Sequence, residues 1–175
     1  MTIINHRHLS SLRKKHHDKK IVFCSGVFDL THAGHVLFFE DCKKKGDILV
    51  VGVGPDEGLK ELKGFSRPIF NEKMRTKIVS SFKPVDYCFL GKPPGKPPVK
   101  HFFAPFEDIF RQLRPDIYVV NNDATDIPFR AKLAKEYGIT FVVLKRKCPP
   151  SFEKISTTRI IERIESYLKK AGLDI

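Results

Sequence analysis

Two histidines flank an Ala-Gly pair in the segment Gly26-Val-Phe-Asp-Leu-Thr-His-Ala-Gly-His35. His32 and His35 stand three residues apart, so both imidazoles can face one phosphate-sized site if Gly34 opens a helix. Neutral imidazole donates one N–H, and the protonated ring adds a charge that offsets phosphate. Gly26 allows a sharp turn and a close approach of phosphate to the backbone. Gly34 falls where unpaired N–H groups and the helix dipole favour an anion. This chemistry suits a phosphate site. The competing reading makes both histidines structural, and the position of the segment along the chain decides against it.

That position follows from the elements on either side. Ile21 to Ser25 is a β-branched and aromatic run ending at Gly26, which predicts a buried first strand. A helix from about Gly34 to Lys45 follows, with Leu37, Phe38 and Cys42 inward and Gly46 as its stop. Asp47 to Gly54 predicts a second strand covered on both faces. Residues 55–70 read as a Gly- and Pro-punctuated loop with room for one short helix. Asn71 caps a helix reaching Phe82, and Val85 to Leu90 is a third strand. Residues 91–98 hold four prolines and two glycines, which excludes a helix or central strand and predicts a surface loop. Phe106 to Leu113 reads as helix, Asp116 to Val120 as strand, Pro128 to Tyr137 as helix closed by Gly138, and Ile139 to Leu144 as strand. A helix from about Ser156 to Lys170, closed by Gly172, ends the pattern. The alternation predicts an α/β chain with a Rossmann-like, doubly wound, five-stranded parallel sheet and helices on both faces. Ligands of such sheets sit beyond the carboxyl ends of strands. His32 and His35, just after the first strand, meet that test.

The 175 residues predict a basic leader or helix over 1–20 and one domain over 21–172. A domain of that size buries roughly 70% of its unfolded surface and needs no disulfide or metal staple. Cys24, Cys42, Cys88 and Cys148 show no CxxC spacing, and three fall in expected strands or helix, so reduced thiols and a cytoplasmic setting are expected. No apolar run is long enough for a membrane span, and no apolar leader of the secretory kind opens the chain. The formal charge of +12 leaves phosphate-rich ligands, a solvated surface and nucleic acid open. Nucleic acid is the weaker partner, since basic and aromatic residues do not interleave. His6, His8, His16 and His17 lack the Cys or carboxylate company of a metal site.

Beyond physics, GVFDLTHAGH resembles the signature of the cytidylyltransferase-like nucleotidyltransferases. The resemblance continues through Lys63-Gly64, Arg67-Pro68-Ile69 and Arg75, then Leu113-Arg-Pro-Asp116, then Ile155-Ser-Thr-Thr-Arg-Ile160. It covers about residues 19–165 and is nearest to the heptose 1-phosphate adenylyltransferases. It implies attack by a substrate phosphate on the α-phosphorus of a nucleoside triphosphate, ATP first, with Mg2+ carried by the triphosphate. Catalysis falls to His32, His35, Lys63 and Arg67, and substrate-phosphate binding to Lys63, Arg67 and Arg75. Nucleotide binding falls to Gly26, Val27, Phe28, Gly34, His35, Asp123, Ser156, Thr157 and Thr158. A sugar phosphate is the expected acceptor and a homodimer the expected assembly. Asp29 reads as a residue that holds its loop by hydrogen bonds.

The resemblance thins at Val120-Asn-Asn-Asp-Ala-Thr125. There Asn121 and Asn122 replace glycine or acid, and Ala124 replaces an aromatic residue, in a loop that would shape nucleotide or acceptor. Cytidylyl transfer from CTP to a polyol phosphate and adenylyl transfer to FMN therefore stay open. The HxGH pattern also occurs in class I aminoacyl-tRNA synthetases, but this chain is short for one and carries ISTTR in place of a KMSKS-like sequence. A nucleotide sensor without turnover is disfavoured by the intact histidine pair.

Overall fold

Ile21, Val22, Phe23 and Cys24 have no solvent exposure, which requires cover on both faces of the strand they form. The computed structural model describes residues 2–57, 59, 67–93 and 104–173. Six strands lie in it: β1 (Thr2–Ile3), β2 (Ile21–Gly26), β3 (Ile48–Val53), β4 (Tyr87–Leu90), β5 (Ile117–Asn121) and β6 (Thr140–Leu144). All pair in parallel in the order β1-β4-β3-β2-β5-β6. Among the described residues they are accompanied by the helices α1 (Leu9–Lys15), α2 (Ala33–Lys43), α3 (Glu72–Val79), α4 (Ala104–Leu113), α5 (Ile127–Glu136) and α6 (Thr157–Lys170). The sheet is thus six-stranded where the sequence pattern predicts five. The sixth strand, β1, is only two residues long and exposed, so no apolar run announces it.

Alternate side chains along each strand feed two cores. Ile21, Phe23, Val50, Tyr118 and Val120 join Leu9, Leu12, Phe110 and Leu133 on the face covered by α1, α4 and α5. Val22, Cys24, Leu49, Val51 and Val119 join Phe38, Phe39, Cys42 and Val79 on the face covered by α2 and α3. Each fully buried Phe, Leu or Val contributes about 1.5–3 kcal/mol. Phe23 anchors the first face, stacked on Tyr118 at 5.4 Å and on Phe89 at 6.1 Å. Cys24, Cys42 and Cys88 are buried thiols and Cys148 an exposed one. Burial pushes the Cys88 thiol up to about 12.

The basic leader is tied into this frame. The Thr2 N–H donates to Asp86 O at 3.1 Å, and the Ile4 N–H to Cys88 O at 2.9 Å. Leu9 and Leu12 are buried, while Lys14, Lys15, Lys19 and Lys20 stay exposed. Arg13 pairs with Asp116 at 3.0 Å, and the same carboxylate accepts the Ile21 N–H at 2.7 Å. Asp116, from the Leu113-Arg-Pro-Asp116 stretch, therefore fastens the start of β2 to both leader and β5. Among the described residues, no helix is long and apolar enough to cross a membrane.

From β2 the chain moves outward through β3 to β4, then returns to β5 on the other side of β2. The connections leaving β2 and β5 consequently part in opposite directions and open a crevice at their carboxyl ends. The residues after Gly26 and after Asn121 face each other across it.

Candidate active site

The loop leaving β2 is backbone-strained. Phe28 and Leu30 adopt φ of 54° and 41°, in the left-handed region that large side chains avoid. Between them Asp29, 5% exposed, accepts N–H bonds from Leu30 at 3.1 Å, Ile69 at 2.8 Å and Phe70 at 3.0 Å. Its own carbonyl accepts the Thr157 hydroxyl at 2.8 Å. One residue thus ties the HxGH loop to the 67–70 segment and to the start of α6, as its expected loop-holding role requires.

Arg75 completes this scaffold, and here the sequence-based expectation is corrected. Its side chain has no solvent exposure. The guanidinium donates to Phe70 O at 2.9 Å, Gly54 O at 2.8 Å, Val27 O and the Asp56 carboxylate at 2.7 Å. A guanidinium has five N–H donors, and these four contacts turn them inward. Arg75 is a positioning residue for three loops at the strand ends, not a ligand of substrate phosphate.

The two histidines cap α2. His32 Nδ1 accepts the Gly34 N–H at 3.1 Å, and His35 Nδ1 accepts the His32 N–H at 3.3 Å. An accepting Nδ1 puts the proton of each neutral ring on Nε2. The rings stack with centroids 4.0 Å apart, and Phe28 meets His35 edge-on at 5.6 Å. Burial, and then the Arg146 charge, hold His32 below the usual imidazole range, which keeps it neutral. Its Nε2 is buried without a hydrogen-bond partner among the described residues. A Cβ on Gly34 would sit 3.0 Å from the His32 ring, so a side chain there would require the ring to give way by a small shift. Structural capping therefore uses Nδ1 of each ring and leaves Nε2 as the nitrogen that carries the proton.

A cleft of about 450 Å3 opens over the strand ends, within the range of small-molecule sites. Gly26, Val27, Phe28, Gly34, His35, Arg67, Asp123, Ser156, Thr157 and Thr158 all border it. His32 does not border it directly and stands against His35. Ser156 caps α6 by accepting the Arg159 N–H at 3.2 Å, and Arg67 donates to the Thr158 hydroxyl at 3.4 Å. The N-termini of α2 and α6 thus converge on one space, each offering N–H groups to an anion. Lys63 and residues 94–98 of the Pro-rich stretch lie outside the described residues.

Two arginines at the cleft were missed by sequence reasoning. Arg146 pairs with Asp123 at 3.1 Å, so the carboxylate expected to meet nucleotide is bridged to a cation. It lies two residues beyond β6, at the carboxyl end of a strand, where ligands of such sheets sit. Arg130, on α5, donates to Thr125 O at 2.8 Å and to the Tyr118 hydroxyl, and lies 5.0 Å from the Phe106 ring centre. No spacing in the sequence marks it.

A crevice at the β2–β5 switch point, walled by an HxGH cap and a second helix N-terminus, defines a phosphate-handling α/β enzyme. The sequence profile of the Cytidylyltransferase-like family matches residues 23–163, and the chain belongs to that family. It is similar to the bifunctional protein HldE of Pseudomonas putida, with 36% identity over 149 residues, 85% of this chain and 28% of the relative. HldE of Helicobacter pylori is 34% identical over 151 residues, 86% of this chain and 29% of that protein. The chain therefore spans under a third of these relatives' length. Among solved structures it is similar to a lipopolysaccharide core biosynthesis protein of Thermoplasma volcanium, with TM-score 0.58 and 27% identity. That match covers 79% of this chain and 99% of that one. A pantoate-beta-alanine ligase of Francisella tularensis shares the fold at TM-score 0.64 and 15% identity, over 95% of this chain and 78% of the other. A cytidylyltransferase-like domain therefore makes up most of the chain.

Proposed function

We propose that this chain transfers the adenylyl group of ATP to the phosphate of a sugar phosphate and releases pyrophosphate. The observation that carries the reading is the pair of helix N-termini, α2 with His32 and His35 and α6 with Ser156–Thr158, converging on one cleft. A triphosphate laid between them meets backbone N–H groups, hydroxyls and an Nε2–H donor at once. An acceptor phosphate oxygen attacks the α-phosphorus in line, the bond from that phosphorus to the bridging oxygen breaks, and pyrophosphate leaves with the electron pair. His35 donates to the oxygens that gain charge, and His32, stacked on it, brings the second Nε2–H as the phosphates displace the surrounding side chains. Arg67, joined to Thr158, neutralises charge on either reacting phosphate, and Lys63 is assigned the same task by resemblance alone.

Mg2+ fits this site as a companion of the triphosphate. Among the described residues no cluster of three His, Cys, Asp or Glu could hold a metal. Phosphate oxygens and water would therefore supply most of its ligands, in the manner usual for Mg2+. Asp123, half exposed at the cleft, is the carboxylate positioned to assist. CTP with a polyol phosphate is the second reading, because the departure at Asn121–Ala124 leaves both base and acceptor open.

The test is pyrophosphate release from each of the four common nucleoside triphosphates, with heptose 1-phosphate, glycerol 3-phosphate and FMN as acceptors. ATP with the sugar phosphate is expected to give the highest kcat/KM. CTP with glycerol phosphate as the best pair overturns the adenylyl assignment, and ATP with FMN overturns the sugar assignment.

A further inference from the structure

The carboxyl edge of the sheet separates two helix layers, and the cleft crosses it. Phe28 and Phe38 belong to the core under α2, whereas Phe89, Ile109 and Val120 belong to the core under α4 and α5. All of these border the cleft. On the α4–α5 side its wall turns aromatic, and Arg130 and Lys92 stand in that wall. Arg130 is anchored on uncharged groups. It donates to the Thr125 carbonyl at 2.8 Å and to the Tyr118 hydroxyl, and lies 5.0 Å from the Phe106 ring centre. These contacts fix the guanidinium without cancelling its charge. Lys92, two residues beyond β4, is strapped to α4 by Asp108 at 2.7 Å. The Asp108 carboxylate also accepts Gln112 Nε2 at 2.9 Å and stands 3.7 Å from Nε2 of buried His6.

We infer that the acceptor carries a second anionic group, remote from its reacting phosphate, and that Arg130 with Lys92 binds it. The inference rests on the reading of the chain as a sugar-phosphate nucleotidyltransferase and narrows its substrate class. In-line displacement places the attacking and leaving oxygens on opposite sides of the α-phosphorus. With pyrophosphate held at the N-termini of α2 and α6, the acceptor approaches from the α4–α5 layer. Its body then lies over Phe89 and Phe106, and its far end meets Arg130 and Lys92. A guanidinium fixed beside an aromatic ring presents a planar fork that suits a phosphate or a carboxylate, and such charge-assisted contacts are the strong class of hydrogen bond. The class is therefore a sugar phosphate with a second phosphate or a carboxylate at its opposite end.

The test is calorimetry on the full chain saturated with the α,β-methylene analogue of ATP, or of CTP if CTP binds more tightly. The analogue fills the triphosphate site, so an added sugar phosphate cannot occupy it. Glucose 1-phosphate, glucose 1,6-bisphosphate and glucuronic acid 1-phosphate are compared. At least one of the two doubly anionic sugars is expected to bind about tenfold or more tighter than glucose 1-phosphate, the effect of an added charge-assisted contact. The better of them tells second phosphate from carboxylate. Arg130→Gln should cut this preference to under about threefold, and Arg130→Lys should restore part of it. Lys92→Gln, at an exposed side chain, should lower it as well. Lost anchoring at Thr125 would weaken all three sugars alike and leave their ratio unmoved, so the ratio separates binding from structure. No binding of any sugar, or affinities within about twofold of one another, overturns the inference. A preference that survives Arg130→Gln overturns it too. Absent pyrophosphate release, or release best with CTP or with FMN, defeats the adenylyl-transfer reading separately, and the affinity ratio still decides the second anion.

Discussion

His32 and His35 cap α2 through one nitrogen each, and the proposed mechanism uses the other. Nδ1 of each accepts a backbone N–H at the start of α2, and Nε2 carries the proton. Substituting either histidine by alanine removes a cap, a loss of about 1 kcal/mol. The chemical loss is larger: removing one donor to developing phosphate charge is expected to lower kcat by roughly a hundred- to a thousandfold. Steady-state kinetics beside a urea melt separates the two, and a kcat unchanged in both variants would sink the mechanism. Acid should also unfold the chain early. His6 and His32 both lie below the ordinary value of 6.5, chiefly through burial. Lys92 lowers His6 further and Asp108 opposes it, while Arg146 lowers His32 further. As pH falls, the unfolded chain takes up these protons before the folded one. The stability they contribute is whole above 6.5 and is lost as pH drops through the lowered folded values. Urea midpoints at about pH 7.5 and about pH 5.5 should differ, and His6→Phe should narrow the gap.

At the scale of elements, the active-site loops stand because strand ends are stitched to one another. Asp29 binds the β2–α2 loop to the 67–70 segment and α6. Arg75, from α3, reaches the loops after β2 and β3. Replacing Arg75 by methionine keeps bulk but strands three carbonyls and the Asp56 carboxylate. A loss of about 3–5 kcal/mol is expected, as for a buried ion pair broken on one side. Lysine should not rescue it, since a single ammonium cannot span four acceptors set around a planar fork. Denaturant titration of both variants checks this, and a methionine variant as stable as the native chain would restore a surface role for Arg75. The resemblance placed Arg75 in the right motif and the wrong chemistry. A charged residue on a helix looks the same in sequence whether it faces ligand or the backs of loops.

For the whole molecule, the leader is part of the domain. Its charge suggests a solvated tail, yet Leu9 and Leu12 enter the core shared with Phe110 and Leu113, and Thr2–Ile3 lengthens the sheet. Leu9→Ala should therefore lower stability by about 2–5 kcal/mol, the range for a core leucine. A urea midpoint within error of the native one would show the leader to be detachable.

The order of strands and helices, the HxGH turn after β2 and the start of the last helix near Ser156 were legible in the sequence, because hydrophobic period and turn chemistry act over a few neighbouring residues. The reaction class was legible for the same reason, since its motif is local. Other features were decided only by folding. These include the two-residue β1, inward-turned Arg75, Arg146 against Asp123, and Arg130 beside the Phe106 ring. Each depends on which separate segments meet in the folded chain, β1 with β4 at the sheet edge and Arg75 with the loops after β2 and β3 among them. Burial and ion pairing between segments distant in the sequence leave no period in the chain, so only the tertiary structure could assign them.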